Sequence, residues 1–272
     1  MTVVVKTFAR LAEAASALST ERGARFLAGG TLVMRAVNEA EPSIETLVRS
    51  TDPSFVGIAV TSGRVELGAG VTMAAILGER ELAFLHPVAR AVGGPAVREA
   101  ATIGGNLFAP SPYGDFASAL LALDATVTLA GGYGQRELSL EEFLGRRERG
   151  ASLVSSIAFK RPANEVFRFT KVTRVHPKGL SVLAIAAQLP LANGRIAGPR
   201  IAYGAMGRMP LRAKAAERAL EGRPLEDNAI APALAVAADG TSPLDDAIAS
   251  AWWRREILPI HLRRLLLGAG RS

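Results

Sequence analysis

The chain has 272 residues, 49% of them hydrophobic, enough to build one large domain or two smaller ones around a sizeable core and too apolar for disorder. It carries 32 Lys and Arg against 25 Asp and Glu, a formal net charge of +7, and no cysteine. The missing thiols exclude disulfides, thiolate nucleophiles, cysteine-ligated zinc and any iron–sulfur cluster held by this chain alone, so redox chemistry here needs an organic cofactor or a cluster in a partner.

Residues 3–8 read as a short strand. Leu11, Ala15 and Leu18 then recur at helical spacing until Gly23 stops the helix. A strand is expected at 24–28, a turn at Gly29-Gly30-Thr31 and a helix at 32–39. Short strands are expected at 45–49, 55–60 and 64–68, and Thr72 is placed as the N-cap of a helix at 73–77. A second helical run begins at His86 and ends near Gly93-Gly94-Pro95. Residues 101–115 lack periodicity and are rich in Gly, Pro, Ser and Asn, which reads as a long functional loop. A helix at 116–123 and a strand at 125–130 follow. A boundary is expected near 160–166, separating a domain of residues 1–162 from one of residues 163–272. Beyond it, antiparallel strands are expected at 167–173, 180–189 and 200–204, then helices at 211–220, with Gly222 as C′ residue, and at 252–267.

The densest basic clusters, at 146–149 and 254–264, also contain Glu148 and Glu256, which favours a solvated surface or a subunit contact over a nucleic-acid interface. Positive charge also suits a phosphate-bearing cofactor. Residues 1–23 hold no apolar run long enough for a signal peptide. The longest apolar stretch, 182–192, is too short to span a bilayer and contains Gln188. A soluble, cytoplasmic chain without a membrane span is the expectation.

Two glycine pairs are the candidates for chemistry. In Ala28-Gly29-Gly30-Thr31, backbone N–H groups can cradle a doubly charged pyrophosphate because no Cβ blocks the approach; the start of a helix adds unpaired N–H groups, and Thr31 adds a hydroxyl. An ordinary strand-to-helix turn explains the same residues about equally well. The second pair lies in Thr102-Ile103-Gly104-Gly105-Asn106, followed by Ser111-Pro112 and Asp115. Asn106 and Asp115 could bond cofactor hydroxyls or amides, or serve as a turn residue and the N-cap of the next helix. Two such loops in one chain favour a dinucleotide. Gly68 and Gly70 resemble part of a Rossmann turn, but position 73 is Met73, so both read as structural.

Other reaction classes find no support. His86, His176 and His261 lie far apart, and there is no G-x-S-x-G elbow or phosphate-binding Walker loop. No catalytic acid or base and no metal-ligand set is identified. Asp124 reads as a helix end, and Trp252-Trp253 as core or interface.

These residues resemble a known family, the FAD-binding (medium) subunits of molybdenum hydroxylases of the xanthine dehydrogenase and carbon monoxide dehydrogenase type. Ala28-Gly29-Gly30-Thr31 is similar to the family's first FAD loop, and Thr102-Ile103-Gly104-Gly105-Asn106 with Ser111-Pro112-Tyr113-Gly114-Asp115 to its second. Phe169-Thr170-Lys171-Val172-Thr173-Arg174 resembles the strand that opens its C-terminal domain. Ile201-Ala202-Tyr203-Gly204-Ala205, Pro210-Leu211-Arg212-Ala213 and Trp252-Trp253-Arg254-Arg255 resemble that domain's later signatures.

The resemblance implies an α+β chain. Its FAD-binding domain, of the vanillyl-alcohol oxidase (PCMH) type, would have a small lobe at about 1–50 and a larger one at about 51–162, with FAD between them. A C-terminal domain would pack a three-stranded antiparallel sheet on helices. It implies cofactor contacts from Leu27, Ala28, Gly29, Gly30, Thr31, Leu32 and Val33, from Thr102, Ile103, Gly104, Gly105 and Asn106, and from Val92, Asp115, Val154 and Lys171. Lys171 near the flavin pyrimidine edge would favour the anionic reduced ring. Leu32 and Val92 depart from the family, which often has Ser or Asp at the first position and in some members an aromatic at the second.

The implied partners are a molybdenum-cofactor (molybdopterin) large subunit and a small subunit with two [2Fe–2S] clusters, in a heterotrimer or a dimer of heterotrimers. FAD would pass electrons from the clusters to NAD⁺, a quinone or dioxygen. Two alternatives stand beside this reading: a stand-alone FAD-dependent oxidase or dehydrogenase, and a scaffold without FAD or a nucleic-acid binder.

Overall fold

The structure, a computed structural model, describes residues 3–131, 134–146, 153–163, 166–176 and 179–268. Positions 147–149 of the basic cluster at 146–149 lie outside the described residues, as do 164–165 of the expected boundary.

The first elements are β1 (Val4–Phe8), α1 (Leu11–Thr20), β2 (Ala24–Phe26), α2 (Val33–Asn38), β3 (Thr46–Ser50), β4 (Ile58–Val60) and β5 (Arg64–Gly68). Next come α3 (Met73–Gly78), α4 (His86–Ala91), α5 (Pro95–Ala100), α6 (Ile103–Phe108), α7 (Asp115–Ala122), β6 (Thr126–Gly131), β7 (Gly134–Ser139), α8 (Leu140–Arg146) and β8 (Leu153–Lys160). The remainder are β9 (Phe167–Thr173), β10 (Ser181–Gln188), β11 (Leu191–Ala192), β12 (Arg195–Ile196), β13 (Arg200–Gly204), β14 (Leu211–Arg212), α9 (Lys214–Leu220), α10 (Asp227–Ala235) and α11 (Ala251–Leu267).

The chain divides into two compact units. One gathers Met1–Glu81, Val92–Ala109 and Ala125–Arg161; the other gathers Leu82–Ala91, Pro110–Asp124 and Pro162–Ser272. The short segments carrying α4 and α7 group with the C-terminal part of the chain because these helices pack on β9, β10 and β13.

In the first unit, β1, β3 and β2 form a parallel sheet in that order, with α1 and α2 supplying the connections parallel strands require. A second, antiparallel sheet runs β4-β5-β8-β6-β7. Leu11, Ala14, Ala15 and Leu18 fall on one stripe of α1 and are buried where that helix meets β3, β6 and β8. The strand expected at 55–60 is divided. Pro53–Val56 forms a 3-10 turn capped by Asp52, whose carboxylate accepts from Ser54 N, and only Ile58–Val60 pairs as β4. Phe55 explains the Gly68/Gly70 pair: a Cβ on Gly68 would lie 2.4 Å from the Phe55 carbonyl oxygen, and one on Gly70 would lie 2.3 Å from its ring.

The second unit holds a four-stranded antiparallel sheet in the order β14-β13-β10-β9. The resemblance implied three strands; the fourth, β14, is a two-residue edge that takes Leu211 and Arg212 from the start of the helix expected at 211–220. β10 reads as an unbroken apolar run because both its faces are covered. The wholly buried α7 packs on one side, and an apolar cluster with α9, α10 and α11 lies on the other, including Leu183, Ile185, Leu258 and Leu262. Each such large apolar side chain contributes about 1.5–3 kcal/mol on full burial. Tyr203 on β13 is also fully buried, its hydroxyl without a partner among the described residues, and burial with the nearby Glu217 charge pushes its pKa far above the ordinary tyrosine range.

α11 begins where Ser250 Oγ accepts from Trp253 N, and it ends at Gly268 with φ 74°. Arg254, fully buried on this helix, donates to the Asp246 carboxylate at 2.7 and 2.8 Å and to the Ala205 carbonyl at 2.9 Å, which offsets the cost of burying its charge. Trp252 and Trp253 are not core residues: they remain 64% and 48% exposed.

Candidate functional site

The turn after β2 is fixed by the chain around it. Leu27 N donates to Val48 O at 2.7 Å, continuing the sheet pairing, and Met34 N donates to Gly30 O at 2.9 Å, closing the first turn of α2. At Gly29 a Cβ would sit 1.6 Å from the Ala100 carbonyl oxygen, so any side chain is excluded by backbone. Gly30 adopts φ +72°, the left-handed region glycine occupies at least cost. Among the described residues, the N–H groups of Gly29, Gly30, Thr31 and Leu32 donate to no acceptor, and Thr31 is exposed. Ala28, Leu32 and Val33 are half-buried, and α2 buries none of its residues.

The second glycine pair is not in a loop. Thr102, in extended backbone, caps α6: its Oγ1 accepts from Gly105 N at 3.0 Å, and its carbonyl accepts from Asn106 N at 3.0 Å. The long loop expected at 101–115 therefore contains a helix, which glycine-rich composition conceals. Ile103 N donates to Val71 O at 3.0 Å and Gly104 N to Ala69 O at 2.8 Å. A Cβ on Gly104 would lie 2.7 Å from Ala69 Cβ. The N–H groups from Ile103 to Asn106 are thus committed within the chain. What this segment presents outward is Gly105, exposed, and Asn106, half-buried.

The Gly29–Ala100 approach brings both glycine pairs together in the first unit, since Ala100 lies two residues before Thr102. The same unit holds the partly exposed Val92 and the buried Val154, which is 2% exposed on β8 opposite Leu129.

In the second unit the structure joins Asp115 to Lys171. Asp115 is the first residue of α7, not its cap; Gly114, with φ 96°, occupies the cap position. Lys171 Nζ donates to Asp115 Oδ2 at 2.7 Å and to the Ala91 carbonyl at 2.8 Å, with side-chain exposures of only 12% for Lys171 and 8% for Asp115. An exposed strand lysine is thereby ruled out. Ser181, absent from the sequence candidates, donates its hydroxyl to Asp115 Oδ1. No local pattern announces it: Ser181 lies 66 positions from Asp115.

Comparisons with known proteins bear on the chain as a whole. A model of the FAD binding domain in molybdopterin dehydrogenase matches residues 5–159, and one of the CO dehydrogenase flavoprotein C-terminal domain matches residues 168–269. The chain is 28% identical to the carbon monoxide dehydrogenase medium chain of Afipia carboxidovorans over 92% of its own length and 91% of the relative's. It is 27% identical to the nicotinate dehydrogenase FAD-subunit of Eubacterium barkeri, over 85% of this chain and 82% of the relative. In three dimensions it is similar to a chain of reconstituted CO dehydrogenase from Oligotropha carboxidovorans, with TM-score 0.88 and 25% identity over 98% of this chain and 96% of that one.

Proposed function

We propose a function from one premise, that this chain belongs to the family of FAD-binding subunits of molybdenum hydroxylases. FAD is the cofactor of that family, and the residues present fit it. The observation that carries the reading is the run of N–H groups from Gly29 to Leu32 that find no acceptor among the described residues, beside an exposed Thr31 hydroxyl and with no Cβ at either glycine. Unpaired backbone donors without side-chain cover are what a pyrophosphate requires. Leu27, Ala28 and Val33 flank this stretch. Gly105 and Asn106 form the outward part of the second segment, with Thr102, Ile103 and Gly104 holding it rigid from beneath. Val92, Val154, Asp115 and Lys171 complete the proposed contacts.

When bound, FAD supplies the exchange between one-electron transfer from [2Fe–2S] clusters of a small partner subunit and two-electron delivery to NAD⁺, a quinone or dioxygen, while a molybdenum-cofactor large subunit handles the organic substrate. The residues of this chain bind and orient the cofactor; none is required as acid or base toward the organic substrate. Among the described residues no helix is long and apolar enough to cross a membrane, and no group of His, Asp and Glu is arranged to hold a metal ion. We place the assembly in the cytoplasm as a heterotrimer or its dimer.

Co-expression with the molybdenum and iron–sulfur subunits tests the reading. The purified complex should release stoichiometric FAD on denaturation, and the isolated chain should bind added FAD with a shift of the flavin absorption bands. A colourless complex that cannot be loaded with FAD overturns it.

A further inference from the structure

Ser181 is 1% exposed, and its hydroxyl donates to Asp115 Oδ1. The register of the sheet explains how it arrives there. β9 and β10 pair with Ala184 opposite Lys171 and Leu183 opposite Val172, but then Ser181, not Val182, stands opposite Thr173. Directly paired residues share a face of the sheet, so unbroken pairing would put Val182 on the face of Lys171 and Ala184, and would turn Ser181 to the other side. A bulge exchanges them. Val182 joins the apolar cluster that includes α9, α10 and α11, and Ser181 comes to the face covered by α7, where Asp115 begins the helix. The bulge serves a polar contact at a place where an apolar residue was available to fill the space.

We propose, resting on the functional reading above, that Ser181 is a positioning residue for the cofactor-facing pair Asp115–Lys171. By donating to Oδ1 it fixes the carboxylate plane and reserves Oδ2 for Lys171 Nζ. Nζ is anchored from a second direction by the Ala91 carbonyl. The pair is then neutral as a unit, and Lys171 keeps a single N–H uncommitted among the described residues. The site thus presents an oriented dipole to the flavin and not the free cation that an isolated lysine would supply. If the hydroxyl is lost, the carboxylate can rotate away and the lysine charge is less compensated. A less compensated cation beside a flavin favours its reduced, more anionic form and raises its midpoint potential.

The test uses the full-length chain loaded with FAD, in wild-type form and as Ser181→Ala, Ser181→Thr, Asp115→Asn and Ser118→Ala. The last is a structural control. Ser118 is fully buried on the same helix, and its hydroxyl donates only to the Asp115 main-chain carbonyl, leaving the carboxylate untouched. Flavin midpoint potential and FAD Kd are measured beside thermal stability. Ser181→Ala should weaken FAD binding by about tenfold and raise the potential. Asp115→Asn should raise it further in the same direction. Ser181→Thr, which keeps the hydroxyl, should return both values toward wild type, and Ser118→Ala should lower stability with neither value moved. Ser181→Cys, close in volume but a weak donor, gives the same reading as Ser181→Ala if the alanine variant does not fold. Wild-type Kd and potential in the Ala or Cys variant would overturn the proposal, as would equal shifts in Ser181→Ala and Ser118→Ala. Failure of the wild-type chain to bind FAD is a different result: it overturns the functional reading, and this proposal with it.

Discussion

The first unit contains two glycine pairs beside a threonine, and they spend their backbone in opposite ways. From Gly29 to Leu32 the N–H groups have no acceptor among the described residues; from Ile103 to Asn106 every N–H has one. The difference lies in the neighbours. Residues 103 and 104 meet the carbonyls of Val71 and Ala69, which the turn between β5 and α3 aims at them, while the N–H groups of the β2–α2 turn meet no such acceptor among the described residues. Both pairs nevertheless include a glycine that admits the chain itself: Gly29 admits the Ala100 carbonyl and Gly104 admits Ala69. A glycine pair is therefore not by itself a phosphate cradle. One of these pairs leaves its donors open and the other, the buttress, commits them to the fold, and a Gly29 or Gly104 variant fails first through packing.

The largest effect is expected at Gly29. A methyl group placed 1.6 Å from a backbone oxygen cannot be accommodated without moving α5 or the turn, so Gly29→Ala should lose about 4 kcal/mol or more in denaturant unfolding. Stability within about 1 kcal/mol of wild type would show that the two segments do not touch as described. Gly104→Ala comes next, at about 2–3 kcal/mol, because its nearest neighbours are the Ala69 methyl at 2.7 Å and the Ala69 oxygen at 2.8 Å. Thr102→Val removes only the cap: Gly105 N loses its acceptor, and the expected cost is about 1 kcal/mol. If Thr102→Val proved as damaging as Gly104→Ala, the buttress would depend on its cap more than on its close packing.

Local signals announced what local chemistry determines. Thr72 was legible as a cap and indeed accepts from Ala75 N, and Leu11, Ala15 and Leu18 gave α1 through their spacing. α6 was not legible, because two glycines depress helix propensity and the compensating bonds come from Ala69 and Val71, more than thirty positions earlier. The division of the strand expected at 55–60 depended on Pro53 and Asp52, turn chemistry that an apolar run hides. In the candidate site the glycines were candidates on sequence alone and Lys171 only through the resemblance, but the committed N–H groups of the second pair could not be read there. Nor could Ser181, whose face is set by a one-residue register shift that no periodicity reveals.

The smallest effect on stability carries the sharpest test of the contrast. Thr31 is exposed, and its hydroxyl has no hydrogen-bond partner among the described residues, whereas the Thr102 hydroxyl is buried and in use. Thr31→Val should therefore change unfolding stability by no more than about 0.5 kcal/mol. If the open N–H run receives the pyrophosphate, the hydroxyl beside it donates to the same group, and its loss should weaken FAD binding by about fivefold, the worth of one such hydrogen bond. Titration of the full-length chain with FAD separates the possibilities. Unchanged affinity would mean that the open donors at Gly29 to Leu32 serve something other than the cofactor. A loss of affinity without a loss of stability is the signature of a donor site, which Thr102→Val and Gly104→Ala cannot produce, because the Thr102 hydroxyl and the N–H groups from Ile103 to Asn106 are already holding the fold.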